Sequence, residues 1–198
     1  MRLTFMREIY SVAVFCGSRL GNDPAFADAA RVLGSGLARA GIRLIYGGGG
    51  NGLMGVLADA ALEGGGTVLG VIPDFLTKLE VAHPGVTQMV TTDSMHSRKR
   101  RMAEEADAFV MLPGGIGTLD ETIEIISWRQ LRLHDKPIYI CDVAGSAAPL
   151  VSAIDAAIHR GFAGPEARDL FTVVAGVPAL LERLGRVPPG GDVAAARL

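Results

Sequence analysis

SVAVFCGSRLGNDPAFADAARVLGSGLARAGIRLIYGGGG, residues 11–50, decides the fold. It opens on an apolar run, SVAVFC (11–16), and passes through a glycine-bearing loop, CGSRLGND, into a helical period over 24–40. It then returns to a second apolar run, IRLIY (42–46). Strand, helix, strand is the βαβ unit, which sets parallel neighbours through a right-handed crossover.

The pattern continues outward. TVLGVI (67–72), VTQMVT (86–91), AFVML (108–112), PIYIC (137–141) and FTVVA (171–175) read as further strands. Helical periods fill 52–64, 94–107, 118–133, 146–160 and 177–184. Near-continuous apolar strands suit a sheet covered on both sides. The expectation is an α/β, Rossmann-like, doubly wound and mostly parallel sheet of six to seven strands with helices on both faces. No linker or fixed-period repeat divides the chain, so residues 1–184 read as one domain and 185–198 as a loose tail.

Composition narrows the function classes. With 198 residues, 49% of them hydrophobic, the chain can bury a substantial core. A formal charge of -2 offers no global attraction to nucleic acid or to an anionic membrane, so any anion site must be local. Arg7 and Glu8 interrupt the N-terminal apolar stretch, and no run reaches the roughly 18 apolar residues of a membrane span, which points to a cytoplasmic protein. Cys16 and Cys141 each end an apolar run and read as buried, reduced thiols. Neither they nor His83, His96, His134 and His159 show metal-site spacing.

In such sheets ligands sit beyond the carboxyl ends of the strands. Three glycine loops fall there: CGSRLGND, YGGGGNGLMG (46–55) and PGGIGT (113–118). Glycine lets backbone N–H groups approach an anion closely, and the following helix start adds unpaired donors. In the second loop Gly50, Gly52 and Gly55 have G-x-G-x-x-G spacing, with Asp74 about twenty residues on, a dinucleotide-type pattern. Against it, the match follows the second strand rather than the first, so tight backbone packing or the wall of another pocket stands beside it. PGGIGTLDE (113–121) has a structural reading too: Thr118 as N-cap with Glu121 three residues later is a capping box. The preceding Gly-Gly-x-Gly, which no cap requires, favours a phosphate cradle there.

The basic run SRKRR (97–101) lies on a predicted helix. With Met95 at zero on a wheel of about 100° per residue, Arg98 and Lys99 flank the apolar stripe of Met102 and Ala106, while Arg100 and Arg101 point elsewhere and His96 sits at the rim.

SMHSRK (94–99) and PGGIGTLDE together, with VFCGSRLGND and YGGGGNGLMG, resemble the Lonely Guy family of cytokinin riboside 5′-monophosphate phosphoribohydrolases, from about residue 11 to 162. The resemblance implies hydrolysis of the N-glycosidic bond of an adenosine 5′-monophosphate, usually N6-substituted, with no metal or other cofactor. It implies Arg98 and Glu121 as catalytic residues. For substrate binding it implies Glu80, Arg98, Lys99, Gly114, Gly115, Ile116, Gly117, Thr118, Leu119, Asp120, Glu121 and, less closely matched, Ser127. The family commonly carries Glu, Gln or a similar long polar residue where this chain has Ser97. Members are often labelled "lysine decarboxylase", a label that nothing else in the sequence supports.

The residue types suit that chemistry. Breaking C1′–N9 builds positive charge on the ribose, which a carboxylate such as Glu121 can face, with Arg98 holding it ionised. Apolar residues on two sides of the 118–133 helix, Leu119, Ile123 and Ile126 against Ile125, Trp128 and Leu131, leave one stripe for a partner. The resemblance likewise implies a homodimer, with a small-molecule nucleotide as the other partner and neither nucleic acid nor membrane. A non-catalytic nucleotide or molybdenum-cofactor carrier on the same fold is the alternative.

Overall fold

The computed structural model describes residues 8–77 and 81–185, so Glu80 and the tail expected beyond Gly185 lie outside the described residues. Seven strands form one sheet: β1 (Ser11–Phe15), β2 (Arg43–Tyr46), β3 (Val68–Pro73), β4 (Gln88–Thr92), β5 (Ala108–Met111), β6 (Ile138–Asp142) and β7 (Thr172–Ala175). Their order is β4-β3-β2-β1-β5-β6-β7, and every pairing is parallel. The crossovers run through α1 (Pro24–Arg39), α2 (Gly52–Glu63), α3 (Met95–Glu105), α4 (Ile116–Gln130) and α5 (Ala148–His159), and α6 (Gly176–Arg183) follows β7.

Side chains alternate along a strand, so β1 sends Val12 and Val14 to one face and Ala13 and Phe15 to the other. On the first face α1, α2 and α6 bury Leu33, Leu57 and Leu180. On the second, α3, α4 and α5 bury Met102, Ile125 and Leu150. Each such side chain contributes about 1.5–3 kcal/mol by leaving water. α1 starts where Asp23 accepts from the N–H of Ala25 at 2.9 Å, with Pro24 in the first turn.

Element ends differ from the sequence reading by up to three residues, and at β4 and α4 the shift has an identifiable reason. β4 starts at Gln88 rather than residue 86, and the N–H of Val68 is taken by the Thr87 hydroxyl at 3.0 Å. α4 starts at Ile116, with Gly115 as its N-cap and no side-chain cap, and ends at Gln130. Thr118 is therefore inside the first turn, and the expected Thr118–Glu121 capping box does not form. The capping box lies instead on α3: Ser94 accepts from the N–H of Ser97, whose hydroxyl accepts from the N–H of Ser94, both at 3.1 Å.

The topology sets the location of the site. The chain builds from β1 outward to β4, then returns to place β5 on the free edge of β1 and builds outward again to β7. From these neighbours α1 departs over one face and α4 over the other, so a crevice opens where the strand order reverses.

Candidate active site

The loops after β1 and β5 meet backbone to backbone at that crevice. The N–H of Gly17 donates to the carbonyl of Pro113 at 3.0 Å. A Cβ on Gly114 would come within 2.6 Å of Thr118 Cβ and 2.9 Å of the Gly17 nitrogen, so only glycine fits there. Gly115 and Gly117 face open space instead. Behind them α4 begins without a side-chain cap, which leaves its first-turn amides to point toward that space. A cleft of about 620 Å³ lies in front, lined by the 17–21 and 113–116 segments, Phe26, Leu53, Leu119 and Pro149.

Glu121 follows this loop within the second turn of α4, where Arg98 of α3 approaches it. Arg98, on the first turn of α3, is only 5% exposed. Its Nε donates to the carbonyl of Val71 and its Nη2 to that of Gly47, each at 3.0 Å, while Nη1 lies 3.8 Å from Glu121 Oε1. The absence of a side chain at Gly47 is what admits the guanidinium, because a Cβ there would occupy the place of Nη2. Two carbonyl acceptors at fixed positions make the orientation of Arg98 a property of the sheet rather than of a mobile side chain. Its separation from Glu121 exceeds the roughly 2.7–2.9 Å of a charge-assisted hydrogen bond, so this contact is coulombic.

Lys99 takes a different course. Its ammonium lies 2.6 Å from Asp120 Oδ2 and 2.8 Å from Glu124 Oε2, both on α4. Burial opposes its charge, but the two carboxylates outweigh that and hold its pKa above the ordinary lysine value. Arg100, Arg101 and His96 are exposed, as the wheel predicts.

The other anticipated residues distribute as follows. Ile116 is 86% exposed, Leu119 is half-buried and Asp120 projects outward. Ser127 is half-buried about 9 Å further along α4 from Glu121, so it does not join the loop within one chain. The two apolar stripes expected on this helix do not separate as read: Ile125 and Ile126, one from each, are both buried in the same core, and the exposed side combines Ile123 and Leu131 with Ser127 between them, because residues four apart share a helix face. Cys16 closes β1 as a buried thiol, and its pKa is raised well above the usual range by burial and then by the nearby Glu121 charge, so it stays neutral. Cys141 behaves alike: burial and then the Asp142 charge push it up to about 12.

Sequence reasoning missed Gly47 as the socket for Arg98 and Glu124 as a partner of Lys99. The spacing of Asp120 and Glu124, four apart on a helix, was the available signal for the second. It also left open the role of the second glycine loop. A Cβ on Gly52 would strike the backbone of Ser18 and Arg19, one on Gly55 the carbonyl of Gly50, and the N–H of Gly50 donates to Val81 at 2.9 Å. Those glycines pack backbone on backbone and wall the first loop rather than opening toward a dinucleotide.

Residues 54–184 match a family model described as possible lysine decarboxylase. Over 186 residues the chain is 41% identical to a cytokinin riboside 5′-monophosphate phosphoribohydrolase of Arabidopsis thaliana, covering 94% of this chain and 87% of that one. The chain belongs to the Lonely Guy family. A probable cytokinin riboside 5′-monophosphate phosphoribohydrolase of Oryza sativa subsp. japonica is 43% identical over 178 residues, 90% of this chain and 73% of that one. The molybdenum cofactor carrier protein of Chlamydomonas reinhardtii shares the fold, with a TM-score of 0.66 at 22% identity over 89% of this chain and 95% of that one.

Within this Lonely Guy protein the decarboxylase description finds no support from the lysines described. Lys99 is held by two carboxylates, and Lys136 donates to the carbonyl of Ala103 at 2.6 Å at the end of α3. Among the described residues no group of three or more His, Cys, Asp or Glu could hold a metal ion, and no helix is long and apolar enough to cross a membrane.

Proposed function

We propose that this protein hydrolyses the N-glycosidic bond of an N6-substituted adenosine 5′-monophosphate to the free base and ribose 5-phosphate, with AMP itself as a second candidate substrate. The observation that carries this reading is the fixed Arg98–Glu121 pair beside an uncapped helix start, in a chain 41% identical to a phosphoribohydrolase. In the proposed complex the 5′-phosphate accepts from amides at 115–118, where the helix dipole also favours an anion. That anchor places C1′ next to Glu121. As C1′–N9 breaks, the carboxylate stabilises the oxocarbenium-like ribose and orients water. The water's oxygen bonds to C1′ and a proton goes to the departing base. Apolar Leu20, Phe26 and Pro149 along the cleft suit a base bearing an apolar N6 group.

The second reading, a nucleotide or molybdenum-cofactor carrier, draws on the shared fold, but a carrier has no need of an acid at the anomeric carbon. Incubation with isopentenyl-AMP and with AMP separates them, since only the hydrolase releases base. In the same assay Glu121→Gln keeps the fold and loses about a hundredfold or more in rate; an undiminished rate removes Glu121 from the mechanism. Assembly as a homodimer belongs to this reading: the stripe of Ile123, Ser127 and Leu131, the last 69% exposed, would bring a second copy to the site. A solution mass equal to one chain at micromolar concentration contradicts it. A cytoplasmic setting accords with two free, buried cysteines.

A further inference from the structure

Arg98 and Lys99 are neighbours in sequence, and the family pattern gives them a shared role in holding substrate. The geometry separates those roles. Arg98 Nη1 approaches Glu121, whereas Lys99 Nζ is seated between Asp120 and Glu124, and its side chain is only 14% exposed. Consecutive cations on α3 thus meet consecutive acids on α4, forming two adjacent rungs between the helices. Asp120, Glu121 and Glu124 crowd three negative charges into the first turns of α4, where four-apart like charges repel. Lys99 is the cation that meets two of them.

We infer that Lys99 is a positioning residue: by clamping Asp120 and Glu124 it fixes α4 against α3 and so sets the approach of Arg98 to Glu121. This rests on the hydrolase reading above. A long, flexible chain ordered at one cation between two anions loses its rotamer freedom, and the result is a fixed distance between helices. Positioning of this kind acts on rate, because a displacement of about 1 Å at reacting groups costs up to about a hundredfold.

The test is steady-state kinetics of base release from isopentenyl-AMP by the full chain. Wild-type turnover is established first; its absence overturns the hydrolase reading and this inference with it. Lys99→Met then lowers kcat by between about ten- and a hundredfold with KM unchanged. Lys99→Arg, still able to donate to both carboxylates, recovers most of the rate. The Asp120→Asn, Glu124→Gln pair, which keeps the lysine, reproduces the kcat loss, and adding Lys99→Met to it costs nothing more. If Lys99→Met does not fold, the double variant on α4 decides alone. A raised KM at unchanged kcat in Lys99→Met, or a wild-type rate in the double variant, overturns the inference and returns Lys99 to direct substrate contact.

Discussion

Gly114, Gly115 and Gly117 lie within four positions of one another but meet different surroundings, which makes their roles separable. A methyl on Gly114 would run into Thr118 and the backbone of Gly17, so Gly114→Ala must shift the junction of the two loops. A melting experiment should show a loss of about 1–3 kcal/mol. A methyl on Gly117 would point into open space beyond the backbone of its own helix, and in a first helical turn alanine is preferred to glycine. Gly117→Ala should therefore melt no lower than the wild type while its KM for the nucleotide rises, because the methyl occupies the surface proposed for phosphate. An unchanged KM would move the phosphate elsewhere. At this scale the wheel positions of Arg98 and Lys99 were legible in the sequence, since apolar spacing alone orients α3. Thr118 was not, because T-x-x-E reads as a capping box only if the threonine is the N-cap, and here Gly115, three residues earlier, holds that place.

At the scale of elements, alternation of apolar runs and helical periods located the seven strands and six α-helices of the described residues. Their ends shifted where a side chain or a glycine took a backbone role, as at Thr87 and Gly115. The segment after α4 carries a feature that periodicity does not reveal. His134 Nε2 lies 3.0 Å from the carbonyl of Ile125 and must donate to it, while Nδ1 accepts from the N–H of Lys136 at 3.2 Å. Both bonds together require neutral imidazole. Burial, reinforced by the charges of Arg129 and Lys136, lowers its pKa below 6.5. A histidine whose folded pKa is depressed is protonated more readily in the unfolded chain, so its contribution is full above about 6.5 and is lost as pH falls below that value. The melting temperature should accordingly drop between pH 7.5 and 5.5, and His134→Gln should reduce that drop. An equal drop in the variant would show that other groups cause it.

For the molecule as a whole, the order β4-β3-β2-β1-β5-β6-β7 was beyond the reach of strand patterns, because an apolar strand carries no record of which strand lies beside it. That order brings the loops at 17–21 and 113–117 together and turns two separate glycine signals into one crevice. It also sets Arg98 under the ends of β2 and β3, opposite Glu121. The central claim is that the first-turn amides of α4 hold the phosphate and thereby place the sugar's C1′ at Glu121. A structure of the protein with ribose 5-phosphate bound tests this directly. Phosphate oxygens within about 3 Å of amides at 115–118, with C1′ on the Glu121 side, are the predicted result. Phosphate bound away from that turn, or C1′ directed away from Glu121, would contradict it.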